Sequence, residues 1–331
     1  MSVGRVARIG LVGAVLVALV LFARTIHWAD TWRAIRGTSA PLLVAAALVN
    51  LLSVVLKGVR WWVFLRPVGI PSLWLAIRAT FVGAGLNNIL IASGGDAARV
   101  VFVARTARAE SAKVLATLAL ERLFELVGYI VLLAAAVSFL QLPASLDETR
   151  PIAMVSLAVI LVLLVYLVRH PAQSGVAVLE GEGLLHRVRV YGRSFLQTLT
   201  GLSTSSRFVA SMAISVAVWA LQVATYQLTA LAAGFPITLV GTTAALLAVN
   251  LGFAVRATPG NLGVFQMMYA VTAAGFGLSA DAATGVALLI QAQQILPVTV
   301  LGLLAAPDML RARTLDAGIA ASGAIKEPGP S

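Results

Sequence analysis

Long apolar runs, each stopped or interrupted by a few polar residues, set the pattern of the chain. Residues 9–23, 41–65, 112–140, 151–168, 208–233 and 282–306 are each continuous enough to predict a helix that crosses a hydrocarbon layer. Such a layer is about 30 Å thick and a helix rises about 1.5 Å per residue. Arg5 and Arg8 before the first run give it the look of a signal peptide. No small-residue cleavage site precedes Arg24-Thr25-Ile26-His27, so the run is expected to stay as the first span. Two further apolar regions are not single spans. Residues 73–103 are interrupted at Asn87-Asn88 and again at Ser93-Gly94-Gly95-Asp96, and residues 237–276 at Thr258-Pro259-Gly260-Asn261. Each then has two short apolar arms and predicts a re-entrant or broken helical hairpin.

Charge along the chain tests this arrangement. If both broken regions return to the side they left, 17 of the 24 Lys and Arg gather on the side of the termini and only Arg24, Arg33, Arg36 and Arg150 lie opposite. Arg78, Arg122 and Arg256 fall inside apolar segments. The positive-inside rule then makes both termini cytoplasmic and the protein a multi-pass protein of the cell membrane. The expected fold class is all-α: a polytopic integral membrane bundle of about six full spans plus two broken hairpins. Divided near residue 150, the chain gives two units of one plan, and three full crossings per unit require the second to be inverted. Residues 1–310 form one transmembrane domain with halves 1–150 and 151–310, and residues 311–331 a disordered cytoplasmic tail. Paired interruptions in two halves are the pattern of a midplane binding site in alternating-access transporters.

Composition changes the picture in three ways. The 331 residues are 60% hydrophobic and only 11% charged, which leaves no large extramembrane domain. The net charge of +11 is spread beside the spans, so it points to anionic lipid and not to nucleic acid. Cysteine is absent, which removes disulfides, thiolate chemistry and cysteine metal sites. With three scattered histidines, no P-loop and no dinucleotide fingerprint, neither metal nor organic cofactor is expected.

The interruptions carry the candidate chemistry, because polar groups persist inside a bilayer only where they face protein or a wet cavity. In Gly94-Gly95-Asp96-Ala97-Ala98-Arg99 the glycines allow close backbone approach, and a helix starting near Asp96 would aim free amides at an anion, with Arg99 one turn on. The competing reading is a capped helix with an arginine reaching for the interface. Glu121, Arg122 and Glu125 lie deep in the 112–140 run. Glu121 and Glu125 share a face, Arg122 can reach Glu125, and the group serves either packing or an intramembrane arginine. Pro259, Gly260, Asn261 and Gly263 break the second hairpin just after Arg256, a costly residue unless it meets an anion or a carboxylate. Lys57, Arg60, Trp61 and Trp62 read as an interfacial anchor, with headgroup contact the sharper alternative, and Gln291, Gln293 and Gln294 as interhelical glue.

At these residues the chain resembles the lysylphosphatidylglycerol synthase transmembrane region, also called the flippase-like domain family. The resemblance rests on Lys57 with Arg60-Trp61, Asn87-Asn88 with Gly95-Asp96 and Arg99, Glu121-Arg122, and Pro259-Gly260-Asn261-Leu262-Gly263-Val264-Phe265 in that order. It covers nearly the whole chain. It implies a membrane domain with re-entrant helices that moves lipids, such as aminoacylated phosphatidylglycerol, between leaflets. It also implies a glutamate where this chain has Gln266, and a proline with a basic residue where it has Ala92 and Ser93.

The functional expectation is a non-enzymatic membrane protein that binds and translocates an anionic phospholipid or lipid-linked headgroup. Arg99, Arg256 and Arg60 would hold phosphate, Asn87, Asn88 and Gly260 would line the path, and Glu121 would position the basic groups. The alternatives are an intramembrane transferase acting on a polyprenyl phosphate and a non-transporting partner of a lipid-modifying enzyme. Homo-oligomerisation is left open.

Overall fold

The structure is a computed structural model, and it describes residues 17, 19–89, 94–139, 151, 154, 155, 158, 159, 162, 205–235, 237–253 and 258–306. Every regular element among them is helical. A short amphipathic helix, α1 (Trp28–Arg36), precedes α2 (Ala40–Leu65), α3 (Leu73–Ile89), α4 (Gly94–Thr106) and α5 (Ser111–Phe139). After residue 204 follow α6 (Ser205–Ala232), α7 (Leu239–Gly252), α8 (Val264–Ala274) and α9 (Ala280–Ala305). One 3-10 turn, Arg66–Val68, ends α2, and another, Pro259–Asn261, lies between α7 and α8.

Local chemistry sets these boundaries. Pro41 starts α2, where its missing N–H costs nothing, and Gly69 at φ 87° ends the 3-10 turn behind it. The Thr238 hydroxyl accepts the Gly241 N–H at 3.1 Å to cap α7, and Ser279 does the same for Ala282 at the start of α9. Residues 40–68, 206–232 and 280–305 are long and apolar enough to cross a membrane. Helix α5, at 29 residues, is long enough too, but Lys113, Glu121, Arg122 and Glu125 interrupt its apolar character. Spans expected at 41–65, 112–140, 208–233 and 282–306 are thus helices of the expected length. The 9–23 run is described only at residues 17 and 19–23, where it is helical, and the 151–168 run only at isolated positions.

The molecule has two cores, each drawn from one half of the chain. Trp61, Phe64, Leu65, Ala76, Val103, Leu120 and Phe124 fill the first. Tyr226, Leu246, Phe265, Tyr269, Val286 and Ile290 fill the second. The cores meet where α2 packs along α6 and α3 along α9, through a small cluster of Val54, Phe81 and Val298. Outward faces keep exposed Leu48, Trp74, Val271 and Leu304, which suits a helical membrane protein whose surroundings are apolar.

Three sequence expectations change here. The first broken region is not interrupted at Asn87-Asn88, because α3 runs through both to Ile89, and Gly94-Gly95-Asp96 are already helical in α4. Arg60 and Trp61 are not an interfacial anchor: both are fully buried against α5 and α6, since α2 keeps its last two turns inside the protein. Lys57, Arg60 and Arg99 therefore leave the set of loop charges, and the split of 17 to 4 falls to 14 to 4, still with the same sign. Helix α1 was not foreseen within the segment between the first two spans. It is fixed by the His27 N–H, which donates to Asp281 Oδ1 at 2.8 Å, and by the Thr31 hydroxyl, which donates to the Asp281 carbonyl at 3.2 Å.

Candidate functional site

The arms of the first hairpin cross at glycines. A Cβ on Gly95 would stand 2.0 Å from the Gly83 carbonyl oxygen and 2.7 Å from the Asn87 nitrogen, so only glycine fits. This contact lets Asn87, at the end of α3, cap the start of α4: its Oδ1 accepts the Gly95 N–H at 2.9 Å and its Nδ2 donates to Asp96 Oδ1 at 3.2 Å. The amides expected to be free for an anion are thus partly satisfied from within. Asp96 is the third residue of α4 and not its cap, and its carboxylate faces α5.

Around that carboxylate a charged lattice is built from four helices. Arg122 of α5 donates to Asp96 Oδ2 and to Glu125 Oε2, at 2.5 and 2.7 Å, and Lys57 of α2 reaches Glu125 Oε1 at 3.3 Å. Arg99 of α4 donates to Glu121 Oε2 at 2.5 Å, lies 3.6 Å from Asp96, and stacks with its guanidinium 4.6 Å from the Trp61 ring centroid. Trp61 is held in turn by its Nε1–H, which donates to Thr117 Oγ1 at 3.0 Å. Behind Glu121, fully buried Arg60 stands 3.8 Å from the second carboxylate oxygen and donates to Ser215 Oγ of α6 at 2.9 Å. Glu121 therefore serves Arg99 and Arg60. Arg122 does not contact it, because neighbouring positions on a helix point about 100° apart.

The lattice borders a cavity of about 600 Å³ to which both halves of the chain contribute. Asn87, Asn88, Asp96, Arg99, Glu121, Arg122 and Glu125 line one side, and Gly260 and Asn261 line the other with Asn250 and Gln291. Arg60 lies behind this lining and acts on it through Glu121. Glu121 enters α5 ten residues from its start, about 15 Å along the helix, so the cavity is deep within the bundle. The account of charge is uneven. Lys57, Arg60, Arg99 and Arg122 face only Asp96, Glu121 and Glu125, which leaves one cation in excess among the described residues. Arg60 Nε and Nη2 and Arg99 Nε are buried without a hydrogen-bond partner there.

The second hairpin is held by amides. Gly260, Asn261 and Gly263 adopt φ of 59°, 56° and 87°, a left-handed run that sharply turns the chain. Gln291 Nε2 of α9 donates to the Gly260 carbonyl at 2.7 Å, Gln266 Nε2 donates to Gln291 Oε1 at 2.5 Å, and Gln266 Oε1 accepts the Gly263 N–H at 2.7 Å. Gln266 is thus a brace behind the cavity and not part of its lining, and a role that needs both a donor and an acceptor suits an amide better than a carboxylate. Gln291 and Gln294 do join helices as expected, Gln294 by donating to Gln222 Oε1 at 3.0 Å. The side chain of Pro259 and all of Arg256, Ala92 and Ser93 lie outside the described residues.

Sequence reasoning missed Ser215, Trp219, Asn250 and Gln222, and it weighted Lys57 as an anchor. The available signal was their polarity within otherwise apolar runs, and Lys57 and Gln222 stand 165 positions apart, as Ser93 and Thr258 do.

No match is found among curated proteins. The family model for the lysylphosphatidylglycerol synthase TM region matches residues 6–302, which takes in both hairpins, the charged lattice and the amide brace. The chain belongs to the lysylphosphatidylglycerol synthase TM region family.

Proposed function

We propose that this membrane protein binds the phosphate of an anionic lipid at the charged wall of the cavity and passes the headgroup between leaflets. The observation that carries the reading is the surplus cation beside a deep cavity bordered by two broken helices. A cation is expensive at that depth unless an anion completes it. The family match supports lipid handling as the setting. Arg122, about half exposed, and Lys57 line the cavity and would meet a phosphate by exchanging a contact to Glu125 for one to the ligand, with Arg99 held beside them by Glu121 and Trp61.

Alternation between leaflets needs two arrangements of similar energy, and a repeat supplies them. Exchanging α2 with α6, α3 with α7, α4 with α8 and α5 with α9 carries the set of packed helix pairs among these eight onto itself: α3 on α9 becomes α7 on α5, and α2 on α5 becomes α6 on α9. This correspondence favours the reading of two units of one plan, which an odd number of crossings per unit would invert, and the charge split favours cytoplasmic termini.

The test is reconstitution of the purified protein with a headgroup-labelled anionic phospholipid, read by accessibility of the label to a membrane-impermeant quencher. Protein-dependent leaflet exchange, lost when Lys57 and Arg122 are both changed to Gln, is the expected result. A new lipid product would make the protein a transferase, and neither product nor exchange would leave it a partner of another enzyme. Either outcome overturns the transport reading.

A further inference from the structure

Beside the main cavity lies a smaller one of about 220 Å³, and the two share Lys57, Asn88, Glu125, Trp219, Asn250 and Gln294 in their walls. At about 30 Å³ per water it has room for about seven waters, the bulk of a small polyol or one sugar ring. Its polar lining is five amides, Asn50, Asn88, Gln222, Asn250 and Gln294, with the Lys57 and Glu125 pair, the Tyr226 hydroxyl and the Trp219 indole N–H. Gln294 donates to Gln222, and Gln222 Nε2 donates to Ser53 Oγ at 2.8 Å, so this pair is fixed in place. Asn50, Asn88 and Asn250 each donate through Nδ2, to the Gln293 carbonyl, Thr299 Oγ1 and the Leu246 carbonyl. Their Oδ1 atoms receive no hydrogen bond among the described residues. Three carbonyl acceptors in one small space lack donors and the Trp219 Nε1–H is buried without an acceptor, while the rings of Trp219, Tyr226 and Phe253 supply apolar faces.

We infer that this side cavity is a headgroup subsite for an uncharged, hydroxyl-rich group attached to the phosphate, a polyol or a sugar. The inference rests on the phosphate reading above and adds the substrate class. Hydroxyls donate to the free carbonyls and accept from the amide N–H groups, so one ligand satisfies both. An ammonium headgroup is disfavoured by the same geometry. It would meet Lys57, and the carboxylate at the mouth, Glu125, is already held by Lys57 and Arg122.

The experiment measures binding of the purified full chain to four lipids in mixed micelles, by thermal shift against concentration, with phosphatidylcholine as the baseline. Phosphatidylmethanol carries a monoanionic phosphodiester with no hydroxyl, phosphatidylglycerol and phosphatidylinositol carry hydroxyls, and phosphatidylethanolamine carries an ammonium. The hydroxylated lipids should bind at least about five-fold tighter than phosphatidylmethanol, roughly the worth of one added hydrogen bond. Asn50→Leu, at a residue that lines the side cavity and not the main one, should remove that margin and leave phosphatidylmethanol binding as it was. Equal binding of phosphatidylmethanol and the hydroxylated lipids overturns the subsite while the phosphate reading stands. Tightest binding of phosphatidylethanolamine overturns it in favour of an ammonium site. If phosphatidylmethanol binds no better than phosphatidylcholine, the phosphate reading itself fails.

Discussion

The two walls of the cavity solve one problem with different chemistry. Each wall interrupts a helix inside apolar surroundings, so each must satisfy backbone groups that the interruption frees. In the second half the described residues do this with neutral groups: Gln266, Gln291, Asn261 and the positive-φ glycines close the turn, with Asn261 Oδ1 left buried and unpaired. In the first half, Asn87 closes the turn, and an ionic lattice from Lys57 to Glu125 is added that the turn itself does not need. The contrast separates scaffold from function. A wall closed by neutral groups holds shape, whereas a wall left one cation over holds shape and still attracts an anion.

The comparison breaks most visibly at Glu121. Replacing it by Gln leaves buried Arg60 and Arg99 without their shared carboxylate, and removing one partner of a buried pair costs about 3 to 5 kcal/mol. Thermal unfolding in detergent should fall accordingly, and adding Arg60→Met should restore part of the loss because one stranded cation is removed. A Glu121→Gln protein as stable as the wild type would mean that the lattice does not hold the first wall. Gly95→Ala comes next. The added methyl would collide with the Gly83 carbonyl and push the hairpin arms apart, at about 1 to 3 kcal/mol in the same assay.

On the neutral wall, Gln266→Glu removes the donor to Gln291 and leaves that oxygen buried and unpaired, which should cost about 1 to 3 kcal/mol. Anionic-lipid binding should survive this change, since the brace lies behind the lining. Loss of lipid binding without loss of stability would show that the second wall also recognises the ligand. Arg122→Gln should change stability least, by under about 1 kcal/mol, because half-exposed ion pairs contribute little.

The helices were legible because their apolar runs need no knowledge of partners, and α2, α5, α6 and α9 lie where the runs put them. The second break was legible as well, since Pro259-Gly260 has a local meaning for backbone angles, whereas Gly94-Gly95 are helical and Gly95 serves the close approach of α3. The wiring of the site was harder to read. Arg60 looks the same in sequence whether it meets water, lipid or Ser215, and that partner lies 155 positions away. Glu121 was expected to position basic groups and does contact Arg99 and Arg60, but Arg60 could be assigned to it only after α2 was seen beside α5. Asn87 looked like a break and is a cap, because its role depends on the glycine crossing that brings α4 against it.

The most direct test of the central claim, that the first wall takes a lipid phosphate on its cations, is lipid-dependent thermal stabilisation of three proteins. Wild type, Arg122→Lys and Arg122→Gln are compared in phosphatidylglycerol and in phosphatidylcholine. The wild type should be stabilised more by the anionic lipid, the Lys variant should keep part of that preference because charge survives without the planar fork, and the Gln variant should lose most of it. A Gln variant with the full anionic preference would contradict the account and make the lattice a purely structural device.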